Sequence, residues 1–321
     1  MLNFSFVVRM VAVGVTALGT GVVYGQNFPN KPIRLFTTEA GGGADFVARL
    51  IAQGLSSSLR QQVIVDNRGG GITAGELVAK APPDGYTLLL QGTAFLLAPF
   101  LRSSLSFDPV RDFAPLTLAD RSPNVLVVHP SLPTRSVKEL IALAKARPGE
   151  LNYASGSIGA STQLAAELFN TMAGVKIVRV NYRGTAPALN DLIGGQVQLM
   201  FTTAGAGSAH IKSGRLRALA VTSAQPSALA PGLPTVAASG LPGYESVSLH
   251  VIFAPARTPA PVINQLNQEM VRVLRTPETK ERFLAAGVES VGSSPEELAA
   301  TVKAEVAKWS KVIKDAGIKP E

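Results

Sequence analysis

Leu35-Phe36-Thr37-Thr38-Glu39-Ala40-Gly41-Gly42-Gly43-Ala44-Asp45-Phe46-Val47 is the stretch whose reading decides the fold. An apolar strand candidate from Pro32 to Thr38 enters a glycine-rich turn. Apolar residues then recur at Phe46, Val47, Leu50, Ile51 and Leu55, the spacing of one helix face. The same order returns far along the chain. Leu151-Asn152-Tyr153-Ala154-Ser155 reads as a strand, Gly156-Ser157-Ile158-Gly159-Ala160-Ser161 as a small-residue loop, and residues 162–172 as a helix. Such a turn brings unpaired backbone N–H groups and the positive end of a helix dipole to one spot, which favours a bound anion. Ligands of open parallel sheets also collect at the carboxyl ends of strands. Two such turns, one in each half of the molecule, would grip a small dianion from both sides of a cleft. Two ordinary tight strand-to-helix turns have the same spacing, and both readings stay open at this point.

Working outward, further strands are expected at residues 62–66, 86–91, 125–128, 178–180, 197–201, 216–222 and 247–254. Helices are expected at 74–81, 187–193, 260–274, 277–286 and 295–316, and Ser136 with Glu139 predicts a reciprocally capped helix start. Residues 99–115, rich in Pro and Asp, are expected to be irregular. The alternation predicts an α/β protein of two lobes, each a mostly parallel sheet flanked by helices. The expected division is residues 26–124 plus 248–321 for lobe I and 125–247 for lobe II, with crossings near 123–125 and 246–251.

Composition supports a globular chain: 46% of the 321 residues are apolar and 16% charged, which excludes intrinsic disorder. With Cys 0, disulfides, thiolate zinc sites and cysteine nucleophiles are excluded as well. Arg9, an apolar run at 10–23 too short to span a bilayer, and small residues ending at Gly25 predict that residues 1–25 are a cleaved secretory signal. Its removal leaves 29 basic residues against 22 acids, a formal charge of +7. Those charges are scattered singly, without a run of five or an aromatic-interleaved stripe, so steering of small anions fits better than nucleic-acid binding.

Catalytic patterns are sparse. Neither glycine-rich loop carries a dinucleotide fingerprint or a Walker lysine, and no Gly-x-Ser-x-Gly elbow occurs. His129, His210 and His250 are far apart, so a zinc or Ser/His/Asp site would need partners from remote segments. His129 is expected to be a hydrogen-bonded boundary residue and Asp45 an N-cap with ligand contact as its second reading. Asp108, Arg111 and Asp112 are expected to form a solvated turn. Trp309, in step with Leu298, Val302, Val306 and Ile313, is expected to be helix packing.

The segments Pro32-Ile33-Arg34-Leu35, Gly41-Gly42-Gly43-Ala44-Asp45, Ala81-Pro82-Pro83-Asp84-Gly85-Tyr86-Thr87-Leu88-Leu89, Asp108-Pro109-Val110-Arg111-Asp112-Phe113, Tyr153-Ala154-Ser155-Gly156, Tyr182-Arg183-Gly184-Thr185-Ala186-Pro187-Ala188-Leu189, Gly195-Gln196-Val197 and Phe253-Ala254-Pro255-Ala256 closely resemble, in order, the solute receptors of tripartite tricarboxylate transporters, the Bug family. The resemblance implies a periplasmic, two-lobed binding protein of type II-like architecture. Such a protein captures a small carboxylate in an interlobe cleft, presents it to membrane transporter components, performs no chemistry and needs no cofactor or metal. It implies a monomer. It also implies that the loops at 38–45 and 155–162 grip the ligand. Ser155, Gly159, Ser161 and Thr162 would bind one carboxylate; Thr38, Gly42, Gly43 and Asp45 would approach the other end, partly through ordered water; Thr93, Tyr182 and Thr203 would line the walls.

Departures from the family pattern bear on the ligand. Thr37-Thr38-Glu39-Ala40 replaces the usual Pro-Phe and small residues, and Glu39 beside an anion pocket predicts a neutral or donor-bearing group in the first lobe, with the carboxylate in the second. Thr202 stands where relatives are often acidic, and Leu249 and His250 stand near a usual tryptophan. A sensory adaptor for the same solutes shares every residue discussed. An exported hydrolase would have to combine Ser155 or Ser161 with one of the three histidines.

Overall fold

The computed structural model describes residues 28–69, 72–156, 160–182 and 184–318; the expected signal at 1–25 lies outside them. β1 (Ile33–Thr37) runs through the glycine turn into α1 (Gly43–Leu59), followed by β2 (Val63–Asn67), α2 (Thr73–Ala79) and β3 (Thr87–Gly92). β1 lies parallel between β2 and β3, as strand–helix–strand units require. Val47, Ile51 and Leu55 of α1 are fully buried against Leu35 and Leu88, each contributing about 1.5–3 kcal/mol of burial.

Two short helices, α3 (Thr93–Leu96) and α4 (Ala98–Leu101), precede the 16-residue β4 (Phe113–Val128). Then come α5 (Val137–Ala146), β5 (Asn152–Ser155), α6 (Ser161–Ala173), β6 (Val178–Asn181), α7 (Thr185–Ile193), β7 (Leu199–Thr203), α8 (Ala204–Lys212) and β8 (Arg217–Val221). The chain returns through β9 (Val247–Pro255) and closes with α9 (Ala260–Leu274), α10 (Pro277–Ala285), β10 (Glu289–Ser290) and α11 (Pro295–Asp315).

Among the described residues the strands order as β2-β1-β3-β9-β4-β7-β5-β6, with β8 and β10 also on β4. β4 serves both halves. Its segment from Phe113 to Pro123 pairs with β9, and from Asn124 onward it pairs with β7. Pro115 sits where the ladder shifts register and Pro123 at the handover, places where a missing N–H is tolerated. The expectation of a mostly parallel sheet in each half is corrected here: β2-β1-β3 and β6-β5-β7 are parallel, but β9 and β4 in the centre pair antiparallel with every neighbour. The sheet is mixed because β9 is a late return strand rather than part of a strand–helix–strand unit.

Helices cover both faces, so the central strands are apolar at successive positions. Leu126 and Val128 enter one core with Tyr153, Phe169, Phe201 and Trp309, while Val125 and Val127 enter another with Met200 and Leu192. In the first half Leu88 and Leu90 face the α1 side and Leu89 faces the Phe95, Phe107 and Phe113 cluster. α11 contributes to both halves: Leu298 and Val302 pack in the first, Trp309, Val312 and Ile313 in the second. Its start carries a full capping box between Ser294 and Glu297. At α5 only half of the expected box forms; Ser136 Oγ accepts from the Glu139 amide, but the Glu139 carboxylate accepts from Arg135 instead.

Candidate functional site

The first hydrogen bond within α1 runs from the Phe46 amide to the Gly42 carbonyl at 3.0 Å, so the amides of Gly43, Ala44 and Asp45 have no partner inside the helix. Gly41, at φ +85°, makes the bend that presents them, a conformation open to glycine at little cost. Asp45 is not the N-cap; that position is Gly42, in extended conformation. Asp45 lies in the first turn, buried, and accepts from the Gly41 amide (2.9 Å), Asn67 Nδ2 (2.9 Å) and Arg49 Nε (3.1 Å). Burial opposes its charge, but these donors outweigh that and hold its carboxyl below the usual range. Asn67 also donates to the Thr38 carbonyl and receives Arg49, so Asp45, Arg49 and Asn67 together brace the loop. Arg49 and Asn67 were not expected in this role, since their contact depends on β1 and β2 being neighbours.

A cavity of about 340 Å³ opens beside this helix start. Ile72, Ala94, Phe95, Ala98 and Leu101 give it apolar walls; Thr38, Gln91, Arg102 and His250 supply its polar groups. Gln91 is 2% exposed and its Nε2 has no hydrogen-bond partner. The His250 ring lies against Gly43 and Gly92: a Cβ built on Gly43 would be 3.6 Å from its Cε1, and one on Gly92 3.8 Å from its Cδ2. His250 Nδ1 meets the carboxylate of Asp120, its cross-strand neighbour, at 2.9 Å, and Asp120 is completely buried. Burial would lower the imidazole's proton affinity, but the Asp120 charge and hydrogen bond overcome it, and the net shift is upward.

Ser155 ends β5 with no exposed surface, and its Oγ accepts from Arg179 Nε at 2.7 Å. Arg179 also donates to the Gly156 carbonyl (3.1 Å) and Asn181 Oδ1 (2.8 Å). α6 begins at Ser161 after Ala160, and its first internal bond is from the Leu164 amide to the Ala160 carbonyl. Ser161 is half-buried and Thr162 buried at that start, whereas Gly159 lies outside the described residues.

The expected wall residues have structural engagements. Thr93 Oγ1 accepts from the Leu249 amide at 2.9 Å, and Thr203 caps α8 through the Ala206 amide. The Tyr182 hydroxyl donates to Asp191 at 2.8 Å; desolvation and that carboxylate push its pKa up to about 12. Thr38 lines the cavity, while Gly42 and Gly43 are exposed at its loop. Arg102 and the Gln91 amide nitrogen can donate to a group held in this cavity, while Thr38, Gln91 Oε1 and a neutral His250 can also accept. Glu39 itself is exposed, with its carboxylate beside Gly69. His129 bonds Ser131 Oγ at 2.6 Å, as a boundary residue would, and Trp309 is 1% exposed in its core. Asp108 gathers the amides of Val110 and Arg111 into the expected turn.

A family model described as tripartite tricarboxylate transporter family receptor matches residues 47–318. The chain is 33% identical over 324 residues to the protein BugT of Bordetella pertussis, covering 99% of each chain. It is 37% identical to R. palustris Rpa4515, solved with adipate, with a TM-score of 0.73 over 92% of this chain and 100% of that one. A TctC solute-binding protein from Polaromonas, solved without ligand, superposes with a TM-score of 0.82 at 25% identity, over 90% of this chain and 99% of that one.

Proposed function

Given that the chain belongs to the tripartite tricarboxylate transporter receptor family, we propose that it is an exported, periplasmic receptor that captures a small carboxylate and delivers it to the membrane components of such a transporter. The observation that carries this reading is the cavity beside the start of α1, which Ala44 of that helix, the unpartnered Gln91 Nε2 and His250 line together with apolar walls. The Gln91 amide nitrogen suits a carboxylate oxygen and the walls an alkyl or aryl body, and Arg102 adds positive charge to the same lining. R. palustris Rpa4515, which binds adipate, is consistent with that class.

In this reading residues 1–25 are the cleaved leader, residues 26–124 plus 248–321 form one lobe and 125–247 the other. The strand handover at Pro123 and Asn124 and the return into β9 supply the hinge. Gly42, Gly43 and Thr38 approach one end of the ligand. Ser155, Gly159, Ser161 and Thr162 close on the other end, with Ser155 positioned by Arg179. Lobe closure excludes water and strengthens each bond. A non-catalytic role is supported by Ser155 Oγ meeting a guanidinium rather than a histidine.

Thermal-shift screening of refolded mature protein against mono- and dicarboxylates tests the reading. A bound solute at a hundred times its Kd stabilises by about 2.7 kcal/mol, several degrees in Tm. No shift with any carboxylate, together with turnover of an ester panel, would instead identify a hydrolase.

A further inference from the structure

We propose that His250, pinned by Asp120, is the specificity-determining donor of the α1 cavity, selecting a carboxylate over the corresponding amide or alcohol by donating Nε2–H to it beside Gln91 Nε2. The inference rests on the receptor reading and deepens it. Three observations place the ring. Nδ1 is held by a fully buried carboxylate, so the ring cannot turn that nitrogen to the ligand. Its Cε1 edge lies against Gly43, the residue whose amide opens α1, so ligand contact there would be shared with the helix start. Gln91, the residue of β3 next to Gly92, lines the same cavity with its Nε2 buried and unpartnered.

Charge around the ring is asymmetric. Asp120 faces it from β4, Gln91 and Gly92 from β3 are uncharged, Gly43 and Ala44 from α1 add only the positive helix end, and Arg102 after α4 lines the same cavity. Among the described residues, the cavity lining contains no acid. In the neutral ring Nδ1–H donates to Asp120 and Nε2 is a bare acceptor that opposes a carboxylate. A proton taken from solvent onto Nε2 converts it into a charged donor, and the bound carboxylate accepts from it. Binding therefore takes up a proton wherever free His250 is neutral, and affinity falls as pH rises through the pKa of His250.

Isothermal titration of the mature chain with adipate, succinate and benzoate, at about pH 6.5 and pH 9 and in buffers of low and high ionisation heat, reads the proton directly. The expected result is uptake of up to one proton at the higher pH and about tenfold weaker binding there, the size of one charge-assisted hydrogen bond. Adipamide should bind no better at either pH. With only three histidines, the 15N signals of His250 can be assigned by comparison with His129→Gln and His210→Gln, and they should move on ligand addition. His250→Gln, which keeps a donor but no titration, should abolish the pH dependence. Binding without proton uptake, with His250 signals unmoved, overturns this inference and leaves the receptor reading standing. No thermal shift with any carboxylate of the wider screen, together with turnover of the ester panel, removes the receptor reading, and this inference with it.

Discussion

The carboxylate of Asp45 accepts the backbone amide of Gly41 at 2.9 Å, so the acid in the first turn of α1 reaches back along the chain and ties down the loop that precedes it. Its charge complements the positive end of the helix, and its oxygens are engaged by Gly41, Arg49 and Asn67. Asp45 is a positioning residue, and the helix amides beside it are the groups left open to an anion.

Asp45→Asn should therefore cost stability and affinity without changing ligand preference. The loss is about 1–2 kcal/mol at neutral pH, one charge-assisted acceptor position. Because the folded-state carboxyl is depressed below its ordinary 3.8, its contribution is present above that value and lost as pH falls through the folded value. Urea titrations of both proteins at pH 7 and near pH 3 should show the difference shrinking in acid.

Gly41→Ala and Gly42→Ala separate conformation from contact. Neither site crowds an added Cβ, but Gly41 holds φ +85° while Gly42 sits at −85°. Gly41→Ala should lose about 1–2 kcal/mol and weaken binding, and Gly42→Ala should leave stability unchanged. Denaturation midpoints and ligand titrations check both.

Arg179→Lys should weaken binding about tenfold while barely altering the fold. One ammonium cannot hold Ser155 Oγ, the Gly156 carbonyl and Asn181 Oδ1 in the fixed geometry of a guanidinium. Circular dichroism should be unchanged as calorimetric affinity falls; unchanged affinity would take the Ser155 loop out of the site.

Trp309→Phe should destabilise by about 1–3 kcal/mol, more than its lost area suggests. The indole Nε1 donates at 2.6 Å to Glu305, whose carboxylate is buried and keeps only Lys308. Urea unfolding followed by circular dichroism measures the difference.

The His250 and Asp120 pair also predicts a pH signature in the free protein. A raised imidazole pKa means that its stabilisation is complete below the ordinary 6.5 and lost as pH rises through the folded value. Asp120→Asn should flatten the stability profile in that window, as a pH series of thermal melts would show.

Much of the scaffold was legible where periodicity is local: the spacing of Val47, Ile51 and Leu55 fixed α1, and the second strand-loop-helix unit announced β5 and α6. The first part of β4 was not, because Pro115, Pro123 and the polar Thr117, Asp120 and Arg121 interrupt its apolar pattern. Its polar residues are instead satisfied by neighbours: Thr117 donates to Ser293, and Asp120 takes His250. The same distance hid the cavity's donors. Asp120 and His250 are 130 residues apart and meet only across the β4–β9 ladder. The one local hint was an acid following Leu118 and Ala119 in an apolar strand, which demands a partner.

Spin-label distances across the molecule test the central claim that the two halves close on one anion. The chain has no cysteine, so Thr73→Cys on α2 and Asn190→Cys on α7, both at exposed positions, give one clean pair. With the carboxylate that raises Tm most, the distance distribution should move to shorter values and narrow. An unchanged distribution at saturating ligand would contradict closure and place binding within one half alone.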